Sequence, residues 1–178
     1  MEGNYGSEGS KGQKGENGKQ VYIEIKHLTK SIFLVNIKGA ILDTKIVMNM
    51  ELSKITIESK GGNGGKGSRG EEGIAAGTYN TTSTSGGVGY MGHSGGDGGE
   101  VLIKLPGLFA PFIDFVIINN EGGVGGTGGK GGKGGLNFDP GSKQTLLNIL
   151  LSARGERGRP GYKGFNGFKG NVRYNWLD

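Results

Sequence analysis

The chain has 178 residues, of which 41 are glycine, four proline and none cysteine, and its formal net charge is +5. That length holds one ordinary domain or two very small ones, and the missing cysteine excludes a disulfide framework, a Cys-ligated zinc site and a thiol nucleophile. Hydrophobic residues make up 33% of the chain, thin for an enzyme, no apolar run approaches the ~18 residues of a membrane helix, and the N-terminus lacks the apolar stretch of a signal peptide.

In chain order, the first element is a run with glycine at every third place, Gly3 through Gly18. A β block follows over 20–58. Val21, Ile23 and Ile25 alternate with Tyr22, Glu24 and Lys26, the pattern of a half-buried strand. Residues 31–37 are nearly continuous apolar, and further strands are predicted over 41–49 and 52–58, where β-branched residues are enriched. Glycine runs over 61–77 and 86–99 flank a Thr/Ser-rich turn at 78–85. The β block resumes over 100–119, with strands 101–105 and 112–118 joined by a turn between Pro106 and Pro111. A fourth run, 122–135, is Gly-Gly-x throughout. A short helix is predicted over 140–153, with Asp139 as N-cap, Pro140 at the first helical place and Gly155 beyond its end. A fifth run, 155–170, closes the pattern.

Five runs with one period are organised sequence, and the whole is read as a single domain of residues 1–178. A period of three is that of an extended polyproline-II-type helix, which has no internal hydrogen bonds. Collagen shares the period, but only Pro160 lies inside any run, and apolar blocks interrupt the runs after about five triplets. The remaining solution is one chain packing its own runs as polyglycine-II helices. Their outward N–H and C=O groups must find partners when buried, and glycine permits the close approach. The Gly-Gly-x run can pack on two faces. Its Gly122, Gly123, Gly125, Gly126, Gly128, Gly129, Gly131 and Gly132 are therefore the expected backbone-packing residues of a central rod. The expected fold is mainly β and irregular: about five polyglycine-II helices, a small β-sheet or sandwich block and one short α-helix.

On these Gly-Gly-x and Gly-x-x runs the sequence resembles the single-chain polyglycine-II bundle proteins, which include a springtail antifreeze protein and the tip adhesins of some bacteriophage tail fibres. The resemblance implies an architecture and an extracellular, cell-surface or virion-surface setting. It transfers no functional residue.

The catalytic inventory is poor, and no enzyme activity is expected. The two histidines, His27 and His93, lack a second histidine at metal spacing. Formal phosphate-loop matches such as Gly87–Gly92 open no predicted helix, so no cofactor is expected. Residues 95–103 approximate one copy of a calcium-binding nonapeptide, with Asp97 and Glu100 as the acidic pair, but such sites need successive copies. Basic residues of 154–163 interleave with Tyr162, Phe165 and Phe168, which makes a surface glycan or anionic polymer a candidate partner. A dedicated nucleic-acid role does not fit the mild charge.

The function expected from the sequence is that of a structural surface or extracellular protein that self-associates as a filament or fibre subunit. Assembly contacts are expected at Leu146, Leu147 and Leu150 and at Phe165, Phe168 and Trp176, because unlike apolar ends build open arrays. The alternative is a receptor-binding adhesin or fibre-tip module that uses loops at the rod ends, with Tyr79, Asn80 and Tyr90 as contact residues.

Overall fold

The structure, a computed structural model, describes residues 12–75, 83–136 and 154–177. They fall into two compact units, each assembled from three stretches of chain. One comprises Met1–Lys14, Gly64–Ser94 and Gly125–Phe165, and the other Gly15–Asn63, Gly95–Val124 and Asn166–Asp178.

Among the described residues, the second unit holds every regular strand. β1 (Val21–Thr29), β2 (Ile32–Gly39), β3 (Asp43–Asn49), β5 (Val101–Pro106) and β7 (Val172–Leu177) form a five-stranded mixed sheet in the order β3-β2-β1-β5-β7. β4 (Ile55–Glu58) and β6 (Val116–Asn119) pair in parallel as a second, two-stranded sheet. In the large sheet β1 and β5 are parallel, as are β5 and β7, whereas β2 runs against both β1 and β3. The period-two alternation of β1 sends Ile23 and Ile25 to one face, opposite Ile37 and Val35 of β2. Ile103 of β5 joins Ile23 on that face, and all these residues are buried.

Residues 107–115 form a 3-10 helix (Gly107–Phe115), where the sequence predicts a turn and the start of a strand. The 3-10 period of three residues stacks side chains at i and i+3. It therefore aligns Phe109, Phe112 and Phe115, with ring centroids 6.1 and 6.3 Å apart. Phe33 of β2 meets Phe109 edge-on at 5.1 Å and Phe112 at 5.5 Å. Pro111 within the segment lacks an N–H for a strand ladder, and the predicted strand 112–118 is thus reduced to β6. These phenylalanines, the inward residues of the large sheet, and Ile55, Ile57 and Val116 of the small sheet make one hydrophobic cluster.

The other face of the large sheet carries Tyr22, Glu24 and Lys26 of β1 beside Lys38, Asn36 and Leu34 of β2. The Glu24 carboxylate accepts a hydrogen bond from Asn36 Nδ2 at 3.1 Å and pairs with Lys26 Nζ at 3.3 Å. The Asn36 bond, more than the nearby Lys26 and Lys104 charges, holds Glu24 below the usual carboxylate range. Between β1 and β2 the chain turns at Lys30, whose φ of 43° lies in the left-handed region, and His27 Nε2 bonds the Lys30 carbonyl at 3.1 Å.

The fold expected from the glycine period is corrected by this architecture. The protein is mainly β, with a five-stranded and a two-stranded sheet and one 3-10 segment, and no bundle of five polyglycine-II helices is present among the described residues. Among the described residues the glycine runs carry neither helix nor strand. A glycine at every third place fixes where two backbones can approach, but it does not by itself impose a helix. Regular structure is set by the alternating apolar blocks. The short helix predicted over 140–153 lies outside the described residues.

Candidate functional site

In the first unit the glycine segments are joined by main-chain hydrogen bonds that recur at every third residue. The amides of Gly126, Gly129 and Gly132 donate to the carbonyls of His93, Tyr90 and Gly87 at 2.7–2.8 Å. Those of Gly158, Gly161 and Gly164 donate to Gly132, Gly129 and Gly126 at 2.8–3.0 Å. Gly67, Gly70 and Gly73 bond Thr127, Lys130 and Lys133, and Gly89 and Gly92 bond Arg159 and Tyr162.

Glycine is required here by space. A Cβ added at Gly128 would collide with the Gly161 carbonyl, one at Gly131 with that of Gly158, and one at Gly125 with that of Gly164. Gly126, Gly129 and Gly132 face the carbonyls of Gly65, Ser68 and Glu71 in the same way. In the second unit Gly122 and Gly123 face Gly167 and Gly62. There the short segment 95–99 bonds all four of the other runs, through Asp97 with Gly18, Gly96 with Gly62 and Gly123, and Gly98 with Phe168.

The pair read as a weak calcium signal has other partners. Asp97 Oδ1 accepts the Phe168 amide at 2.8 Å, while Glu100 accepts Arg173 Nε at 3.0 Å and Gln20 Nε2 at 3.3 Å. Among the described residues no three His, Cys, Asp or Glu side chains gather as a metal set. His93 Nδ1 accepts the adjacent Ser94 amide at 2.9 Å.

Tyr162, Phe165 and Phe168 occupy outward places of the fifth run and are 83%, 80% and 80% exposed. Tyr90 is half-buried in the third run. Leu146, Leu147, Leu150, Tyr79 and Asn80 lie outside the described residues. Trp176 lies in β7, a strand the sequence reading missed although Val172, Tyr174 and Trp176 alternate with Arg173 and Asn175. β7 forms one edge of the large sheet, and β3 forms the other.

Both edges carry apolar side chains on the core-facing side. Register places Tyr174 beside Ile103 and Trp176 beside Leu105, while Ile46 lies beside Val35 and Met48 beside Phe33. Tyr174, Trp176 and Ile46 remain substantially exposed. Where β5 runs into the 3-10 segment, Pro106, Leu108, Ala110, Trp176 and Leu177 line an open apolar groove of about 590 Å³.

No family model matches the chain, and no curated protein matches it. A solved nine polyproline type II helical bundle springtail antifreeze protein from Granisotoma rainieri aligns over 97% of this chain and 98% of its own, at 22% identity and a TM-score of 0.14. A score that low does not indicate a shared fold. The resemblance to polyglycine-II bundle proteins drawn from the glycine motif is accordingly withdrawn. No helix among the described residues is long and apolar enough to cross a membrane.

Proposed function

We propose that this chain is a structural protein of an extracellular, cell or virion surface whose copies associate edge to edge into a filament or fibre. The observation that carries the reading is the pair of unlike open edges, β3 and β7, on one sheet. An open edge presents unpaired N–H and C=O groups, a template for another strand.

The two edges suit each other. β3 opposes β2, which opposes β1, and β1, β5 and β7 are parallel, so β3 and β7 point the same way. A β7 edge laid against the β3 edge of a second copy makes a parallel pair and continues the sheet. Tyr174 and Trp176 then fall on the same side as Ile46 and Met48, and exposed apolar surface on both edges is buried. Contact between two different surfaces leaves one of each free at every step, so growth remains open unless the rotation closes a ring.

The test uses one blocked edge at a time. Ile46→Lys blocks β3 and Trp176→Lys blocks β7. The wild-type chain is expected to form species that grow with concentration in sedimentation velocity, and each variant alone to remain monomeric. An equimolar mixture of the two is expected to stop at the dimer, because each supplies one intact edge. A wild-type chain that stays monomeric at high concentration, or variants that assemble as it does, would overturn the reading.

A further inference from the structure

We infer that the first unit carries a binding face for an extended acidic polysaccharide, built on the fifth glycine segment and floored by the third. This goes beyond assembly and uses none of the residues of the sheet edges. Tyr162 and Phe165 each line a groove with Met91 of the third segment and so lie on one side of the fifth, with Arg159 three residues before Tyr162. The backbone beneath them is held in place: the Arg159 and Tyr162 carbonyls accept the Gly89 and Gly92 amides at 2.9 Å, and the Gly161 and Gly164 amides are bonded on the other side.

Two shallow grooves lie along this face. One, of about 170 Å³, runs between Val88 and Met91 on one side and Pro160 and Tyr162 on the other. The next, of about 210 Å³, is lined by Met91, His93 and Phe165. The face therefore offers two exposed rings, each beside Met91.

Tyr162 and Phe165 are three residues apart, a span of chain of at most about 10–11 Å. That limit is close to the length of two linked pyranose rings and longer than the step between stacked bases. Pyranose rings present C–H faces that pack on aromatic side chains, whose π faces are electronegative. Charge selects the kind of sugar polymer. Arg157, Arg159 and Lys163 are exposed and form no ion pair among the described residues, and Glu156 is the only acidic residue of the segment from Arg154 to Phe165. Regularly spaced carboxylates along the polymer complement these cations, while the rings hold its sugar units.

The experiment is calorimetric titration of the full chain with a β-1,4-linked mannuronate oligosaccharide. Parallel titrations use a neutral cellulose oligosaccharide and single-stranded oligothymidylate. Mannuronate is expected to bind best and to weaken as salt rises. Tyr162→Ala and Phe165→Ala are each expected to weaken it about three- to tenfold, with Tyr162→Phe close to wild type and circular dichroism unchanged throughout. Arg159→Ala is expected to weaken binding and flatten its salt dependence. No mannuronate binding, alanine variants that bind like wild type, a neutral sugar bound as tightly, or tighter binding of oligothymidylate would each overturn the inference.

Discussion

The two units exclude water by different means. In the second, the buried cluster is built from large apolar side chains, among them Phe33, Phe109, Ile23 and Leu105. In the first, every described residue that is buried is a glycine, except Thr84. One interior is filled by side chains and held by the hydrophobic effect. The other is filled by main chain approaching main chain, and its outward places are left to lysines, arginines and exposed rings. A sequence can thus make a packed interior with almost no apolar residues, provided that backbone bonds are satisfied and no Cβ intervenes. Tolerance to substitution should differ accordingly.

The largest effect should come from the side-chain interior. Phe33→Ala removes the ring that meets both Phe109 and Phe112 and is expected to cost about 4 kcal/mol in denaturant unfolding. Residue-resolved hydrogen exchange should place the loss of protection first in β1, β2 and β5. A cost below about 1 kcal/mol would show that the cluster is looser than its burial implies.

The next largest tests the main-chain interior by adding one carbon. Gly128→Ala places a methyl group against the Gly161 carbonyl, a backbone group that no rotamer change can move aside. It is expected to cost about 3 kcal/mol. Gly107→Ala is the control, because nothing lies within 4 Å of its added Cβ, and it should stay within about 0.5 kcal/mol of wild type. Equal effects at the two positions would remove the distinction between the units.

Smaller changes sharpen the picture of the sheet. Lys30 sits at φ 43°, where a left-handed backbone costs a residue with a Cβ about 1–2 kcal/mol. Lys30→Gly relieves that, offset by the entropy of glycine, and should raise stability by about 0.5–1 kcal/mol in the same unfolding assay.

The smallest effect is pH-dependent. Glu24 has its folded pKa lowered from an ordinary value of 4.5, chiefly by the Asn36 hydrogen bond. Its contribution is therefore present above pH 4.5 and is lost as pH falls through the lower folded value. Glu24→Gln should flatten that part of the stability profile, and an unchanged acid slope would show that the bond carries no such linkage.

Much of the β architecture was legible in the sequence, and the reasons are local. Strands β1 to β5 follow alternating or β-branched apolar stretches. The 3-10 segment was hidden because Phe112, Ile113 and Phe115 have strand-like propensity, while the decisive signal is phenylalanine at every third place around Pro111. β7 was hidden by Arg173 and Asn175 within only six residues. The glycine period showed where backbones could approach but did not impose a helix, so the expected bundle of polyglycine-II helices was an overreading. Nor could the period say which runs are neighbours: every run repeats in steps of three, so sliding one by a triplet gives an equivalent pattern. The aromatic face was half visible, as rings at period three; Val88 and Met91 beside them belong to another segment that only the fold brings near.

The central claim is that the glycine segments are joined main chain to main chain at every third residue. Amide hydrogen exchange read residue by residue over 126–135 and 158–164 tests it most directly. The account predicts slow exchange at Gly126, Gly129, Gly132, Gly158, Gly161 and Gly164, and fast exchange at Lys130, Lys133, Tyr162 and Lys163, a protection pattern with a period of three. Uniformly fast exchange through both stretches would contradict it.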